Sequence, residues 1–460
     1  MRKTLILCLI ISIVSLTAFF SIRSEDKPVA VPPSKQRTGG NAEKGFQYLI
    51  TGDYVKGGIP YNAFLFGAGL SGENFLKRDG LNKNVSHEYT AITSSNGEVL
   101  VAPNCLQCHA QVFDGKLVMG LGNSLADFTQ GAAFNAGNIE LLEKILKANA
   151  PKQYEASATF LHISKTITPY LYASSKGVNI ADRLAGLLVA HRNPQDFQWI
   201  DELQLGIPAQ VIPTDTPPWW LLKKKNAMFY SGFGRGDFGR FLMASNLLTV
   251  HDTTESRSVD EHMPDVLAYI YSLQPPKYPG SINQSLAAEG KIIFENLCSS
   301  CHGTYGTKES YPNLLIPGSM IRTDSFLYSN NYSNPQFINW FNNSWFTKGD
   351  HPARLEPFSG YIAPPLDGIW VTAPYLHNGS VPTLDALLNS STRPTYWSRD
   401  FDHPQYDYEN VGWKYSIEKS QENTSTYNTK LPGYGNYGHD FGDVLTEKER
   451  KQVIEYLKTL

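Results

Sequence analysis

The chain has 460 residues, 41% of them hydrophobic and 18% charged, with a net charge of −3. That length suits two or three domains, each with a core of its own. The near-neutral balance argues against nucleic acid and against a polybasic membrane surface as partners.

The N-terminus reads Met1-Arg2-Lys3, and no charge follows from Thr4 to Ile22. A basic start before an apolar run marks export, and a run of that length can also span a bilayer as one helix. Phe19, Phe20 and Ile22 stand where a cleavage site wants small residues. Residues 1–22 are therefore read as an apolar helix that stays on as an anchor, in preference to a cleaved signal peptide. The rest of the chain is expected in the periplasm, held at the inner membrane. Residues 23–41, rich in Pro, Ser, Gly and charge, read as a flexible tether.

A helix is expected over 42–49. After a stretch rich in Gly and Asn comes Cys105-Leu106-Gln107-Cys108-His109. Residues 264–273 have apolar positions at helical spacing and stop before Pro275 and Pro276. Pro279 and Gly280 extend that break into a linker. The spacing predicts another helix over 287–297, running straight into Cys298-Ser299-Ser300-Cys301-His302. The last helix begins at Thr446, with Glu449 three residues on as a capping box.

Cys-x-x-Cys-His is the attachment signature of c-type haem. Each thiol adds to one vinyl group, and the adjacent histidine ligates iron from below the ring. The two copies use every cysteine except Cys8, which lies in the apolar leader. A zinc site would want its knuckles closer in sequence. A disulfide within each pair would be strained, and a thioredoxin-type pair would not be duplicated with a trailing histidine. Two covalently bound haem c groups are the expectation, on Cys105, Cys108 and His109 and on Cys298, Cys301 and His302. The expected fold is mainly α: two tandem cytochrome c-like haem domains, 42–277 and 282–460, with long irregular loops behind the apolar helix.

The second half carries Ala363-Pro364-Pro365-Leu366-Asp367-Gly368-Ile369-Trp370, then Tyr375-Leu376-His377-Asn378-Gly379, Arg393-Pro394 and Gly438-His439-Asp440-Phe441-Gly442. In these stretches the chain resembles the bacterial dihaem cytochrome c peroxidase superfamily, most of all its branch containing the dihaem rubber oxygenases. The first half matches only around its haem motif and Asp215-Thr216-Pro217-Pro218-Trp219-Trp220. The resemblance implies one six-coordinate haem that handles electrons, on His302. It implies a second haem, on His109, with an open or displaceable position for peroxide or dioxygen.

The peroxidases place a methionine ligand about a dozen residues after the Tyr-x-His-x-Gly motif, and 385–396 contains none. A bis-histidine iron is the alternative, with His439 as first choice of distal ligand and His377 as runner-up. His377 also reads as a loop histidine bonded to backbone or a propionate. For the first haem no partner stands out. Met119 is close in sequence, and His191, His251 and His262 are unassigned, each with a plainer structural reading. Trp219 and Trp220, with Phe229 and Tyr230, flank Lys223-Lys224-Lys225. They could wall a haem or relay electrons, as could Trp370, with packing as the plain alternative. The lysines read as a solvated face or as a contact for a propionate or an acidic partner. Arg322 and Asp324 read as fixing loops or propionates. No catalytic base can be picked out.

Two functions share these motifs. One is an exported dihaem cytochrome that transfers electrons to or from a partner protein or a small-molecule oxidant. The other is a dihaem peroxidase or dioxygenase acting at the His109 haem.

Overall fold

Two pairs of crossing helices frame the chain, and each pair stands beside one Cys-x-x-Cys-His motif. The computed structural model describes residues 27–129 and 136–460. Helix α1 (Ala42–Thr51) crosses α2 (Met263–Ser272), and α3 (Gln284–Leu297) crosses α4 (Glu447–Leu457). The starts are set by side chains. Asn41 accepts the Lys44 amide at 3.0 Å, and Asn283 accepts those of Ser285 and Leu286. Thr446 and Glu449 form the reciprocal capping box at α4.

Both crossings run backbone on backbone. A Cβ on Gly45 would lie 2.0 Å from the Asp265 carbonyl oxygen, and one on Gly290 would lie 1.9 Å from that of Gln452. Only glycine allows that approach. Gly290→Ala is expected to lower stability by about 3 kcal/mol or more, since neither helix backbone can yield without opening the core. A shift in the urea midpoint at unchanged slope checks it.

The cores do not follow the linker at 275–280. The first gathers Leu49, Leu106, Trp219, Leu267 and Ile270, and also Trp340, Phe341 and Phe346 from the second half. The other holds Phe294, Trp370, Tyr375, Val453 and Tyr456, and takes Phe113, Leu121 and Trp220 from the first. Each half thus lends aromatic side chains to the other.

The expectation of a mainly α fold led by an apolar helix needs correction. The described residues are 39% helix and 13% strand, with fifteen short strands in six sheets of two or three. Most strands have two to four residues, too short to show an alternating pattern. One was signposted: Ala110–Phe113 pairs with Lys116–Met119 across Asp114-Gly115, both at positive φ as a tight hairpin requires. The segment 1–22, with Cys8, lies outside the described residues. No described helix is long and apolar enough to cross a membrane.

Residues 29–41, expected as part of a tether, are held against the fold. Val29–Ala30 pairs with the strand Leu314–Pro317. Arg37 bridges Asp237 at 2.9 Å and Asp260 at 2.6 Å, both pairs largely out of solvent. Composition cannot reveal a buried ion pair whose partners lie two hundred residues away.

Candidate haem sites

The first motif begins where the strand Val99–Pro103 ends. Asn104 accepts the Leu106 amide at 2.8 Å and so opens the single turn Leu106–His109. The hairpin that follows brings the chain back, with the Gly120 amide on the His109 carbonyl and the Trp219 amide on that of Gly120, both at 2.8 Å. Trp219 thereby stacks on the His109 ring, centroids 4.6 Å apart and 21° from parallel.

His109 Nδ1 is buried with no hydrogen-bond partner. Burial pushes this imidazole down to about 3 and both motif thiols up to about 11. Asn179 donates to Cys108 Sγ at 3.0 Å. Beside Cys105 opens a crevice walled by Tyr48, Tyr54, Trp219, Leu242, Asn246 and Met263.

The crevice residues Tyr48, Tyr54, Asn246 and Met263 were missed from sequence, because they come from α1, the turn after it, the short helix Met243–Leu248 and the first turn of α2. Candidates that were considered serve elsewhere. Met119 lies opposite Ala110 on the hairpin and packs on the first core. His191 stacks on Trp199 and bonds the Ile200 carbonyl at 2.9 Å. His251 bonds Glu255 and Thr159, and His262 stacks on Tyr48 at 4.0 Å.

At the second motif, α3 hands its C-terminal end to Cys298. His302 Nδ1 donates to the Pro364 carbonyl at 2.8 Å. That bond sets the tautomer and leaves the lone pair on Nε2, the arrangement of a metal-ligating histidine. His439 faces it, ring centroids 6.1 Å apart. Two imidazoles bound to one metal at about 2.0–2.1 Å put their ring centres roughly 6 Å apart.

Both rings are held neutral. Burial lowers His302, while burial, His302 and Arg393 bring His439 down to about 4. His439 Nδ1 is buried without a partner.

The loop that presents His439 is strained and clamped. His439 has φ +46° and Gly438 φ +72°, and a Cβ on Gly438 would fall 2.2 Å from the Arg322 carbonyl carbon. Arg393 donates to the carbonyls of Asn436, Gly438 and His439 on one side and of Ala386 and Leu387 on the other. Strain of this kind persists only where the surroundings over-determine it. Arg322 pairs with Asp440 at 2.8 Å, and Asp324 accepts the Phe326 and Gly435 amides. His377 is not brought to His302. It is buried against Tyr361, stacked at 4.1 Å and sharing a 3.0 Å hydrogen bond.

The tryptophans divide between the cores. Trp219 touches His109, whereas Trp220 donates Nε1 to the Asp367 carbonyl at 2.8 Å. Trp370 donates to Pro276 and meets Phe113 edge-on at 5.7 Å. Phe229 packs on Phe233 and Phe241. Only one lysine of the triplet is solvated: exposed Lys223 caps the Leu273 carbonyl, Lys224 pairs with Asp367 and Glu309, and Lys225 is buried.

Tyr230 donates to Asp215 at 2.5 Å, and burial pushes the Asp215 carboxyl up to about 7. Between pH 4 and 7 the folded chain then holds a proton that the unfolded chain has released, so this group makes stability fall as pH rises. Asp215→Asn is expected to flatten that slope, worth on the order of 2 kcal/mol, in denaturation curves taken at pH 4.5 and 7.5.

The residues present fit haem c. The four motif cysteines are free thiols, His109 and His439 each keep an unclaimed buried nitrogen, and the His302–His439 gap matches one metal. No cluster of three or more His, Cys, Asp or Glu able to hold a metal occurs among the described residues.

Comparison with known proteins agrees. Residues 360–398 match the family model described as RoxA-like, cytochrome c-like. That stretch supplies Tyr361, Pro364, Trp370, His377 and Arg393. The uncharacterized protein y4iJ of Sinorhizobium fredii (strain NBRC 101917 / NGR234) is 28% identical over 253 residues, 41% of this chain and 41% of that protein. The uncharacterized protein y4iM of the same strain is 27% identical over 293 residues, 55% of this chain and 66% of that protein. The chain thus spans less than two thirds of either relative. Over 360–398 the chain is thus similar to a rubber-oxygenase-related cytochrome c domain, a likeness that supports covalently bound haem c.

Proposed function

We propose that the chain is an exported, periplasmic dihaem cytochrome that transfers electrons. The observation that carries the reading is the His302–His439 pair: two neutral, half-buried imidazoles a metal's width apart, one directly after a Cys-x-x-Cys pair. Haem c, when bound, supplies a one-electron iron couple. The chain's own residues do the rest. Pro364 orients His302, and Arg393 fixes the loop of His439. Two imidazoles with no thioether favour a low potential, because a methionine ligand raises it.

Contacts also join the two motifs. His109 stacks on Trp219, its neighbour Trp220 bonds the Asp367 carbonyl, and three residues earlier the Pro364 carbonyl holds His302. That continuity supports an internal relay to a redox partner protein or a small-molecule oxidant.

A second reading rests on the first crevice. Its lining carries the thioether of Met263 and no imidazole, which suits a haem whose far side can take peroxide or dioxygen. Alkaline-pyridine spectra and electron-spin resonance of the purified protein test both. Two haems per chain, one of them low-spin with two imidazoles, is the expected result. One haem per chain would overturn the dihaem reading. A high-spin ferric signal with peroxide turnover would favour the enzyme, and two low-spin haems without turnover would exclude it.

A further inference from the structure

Away from both motifs, one polar cavity holds an unpaired arginine beside a buried amide donor that nothing in the fold satisfies. It opens between the start of the helix Ala181–Ala190, the loop at Gln210 and the helix Phe326–Ser333, and Asp182, Arg183, Gln210, Asn330, Asn331 and Asn334 line it. Arg183 is 7% exposed overall; its guanidinium forms no hydrogen bond or ion pair with a described residue but still reaches solvent in the cavity. Asn331 is equally buried, and its Nδ2 has no acceptor.

The helix above them begins at Ile180, which has no side chain to cap it, and Asn179 takes only the Ala181 amide. An amide buried without an acceptor, as Asn331 Nδ2 is, is unfavourable unless a ligand satisfies it. Asp182 does not supply the missing charge. It attracts the neighbouring Arg183 only at longer range and forms no ion pair with it within bonding distance.

We propose that this cavity binds a carboxylate, gripped by Arg183 and Asn331. A guanidinium fork matches the two oxygens of a carboxylate, and the neighbouring amides offer further donors. Asp182 in the same wall disfavours a group with a second negative charge, such as a phosphate dianion.

The carboxylate has two sources. One is a small organic acid from solution, which needs nothing from the haem reading. The other is a propionate of the haem bonded at Cys105 and Cys108, which rests on that reading. The second is in reach because Asn179, donating to Cys108 Sγ at 3.0 Å, stands one helical turn before Arg183.

The test uses the full haem-loaded protein with Arg183→Gln and Asn331→Leu. Melting is followed in acetate, succinate, phosphate and chloride at equal ionic strength, and haem potentials are measured by spectroelectrochemistry. If the ligand is a free acid, acetate or succinate stabilises the native chain in a saturable way, and each variant weakens that binding at least about tenfold. If it is a propionate, added acids have no effect, while both variants move the potential of one haem and leave the other unchanged. The proposal is overturned if acids do not act and the potentials stay put, or if phosphate stabilises as well as the acids do. Should Arg183→Gln not fold, Asn331→Leu and the titration of the native chain still decide.

Discussion

Replacing His439 by alanine is expected to turn one low-spin haem into a high-spin one while the haem count per chain stays the same. The thioether bonds at Cys298 and Cys301 and the His302 ligand would be untouched, so the cofactor stays attached. Only the face that His439 closes would open. His439→Met sharpens the test, because a thioether in place of imidazole favours ferrous iron. The potential of that haem should rise by on the order of 0.1 V, well inside the roughly 0.8 V that axial ligands control. The φ of +46° at this position gives a control: His439→Gly relieves the strain yet must show the same high-spin signal as alanine. Unchanged spectra in all three variants would remove His439 from the iron and with it the bis-histidine reading.

Cys105→Ala with Cys108→Ala is expected to halve the haem content, from two per chain to one, and to leave the low-spin signal of the remaining haem. The loss should also be felt in the core. The crevice beside Cys105 is walled by Tyr48, Tyr54, Leu242 and Met263, which would face an unfilled gap, and a cavity of that kind lowers stability by several kcal/mol. The pyridine spectrum gives the count and the thermal midpoint gives the stability. The mirror variant, Cys298→Ala with Cys301→Ala, should remove the low-spin signal instead. If either pair left the haem count unchanged, the assignment of one haem per motif would be wrong.

Parts of this were legible in the chain. The two haem motifs are contiguous five-residue strings, so no folding is needed to see them. The helices at 42–51, 263–272, 284–297 and 447–457 show through the 3.6-residue period and their caps. His439 could be singled out only through the resemblance of Gly438-His439-Asp440-Phe441-Gly442 to a family, since a lone histidine carries no address. The clamp of Arg393, which bonds five carbonyls from two loops, left no pattern at all.

The errors share a physical origin. The lysine triplet looked solvated because a charge run usually is, but Lys224 finds Asp367 and Glu309 across the fold. His377, the runner-up ligand that also read as a hydrogen-bonded loop histidine, bonds Tyr361. Short strands escaped notice because two or three residues cannot alternate visibly.

By itself the sequence determined which thiols and which histidines stand together, because that adjacency is written along the chain. It also determined the helices, because their period is local. Tertiary structure alone decided what faces those histidines. Trp219 reaches His109, and His439 reaches His302, through contacts spanning more than a hundred residues. Such contacts form only when distant segments of the chain pack together, which no local pattern records.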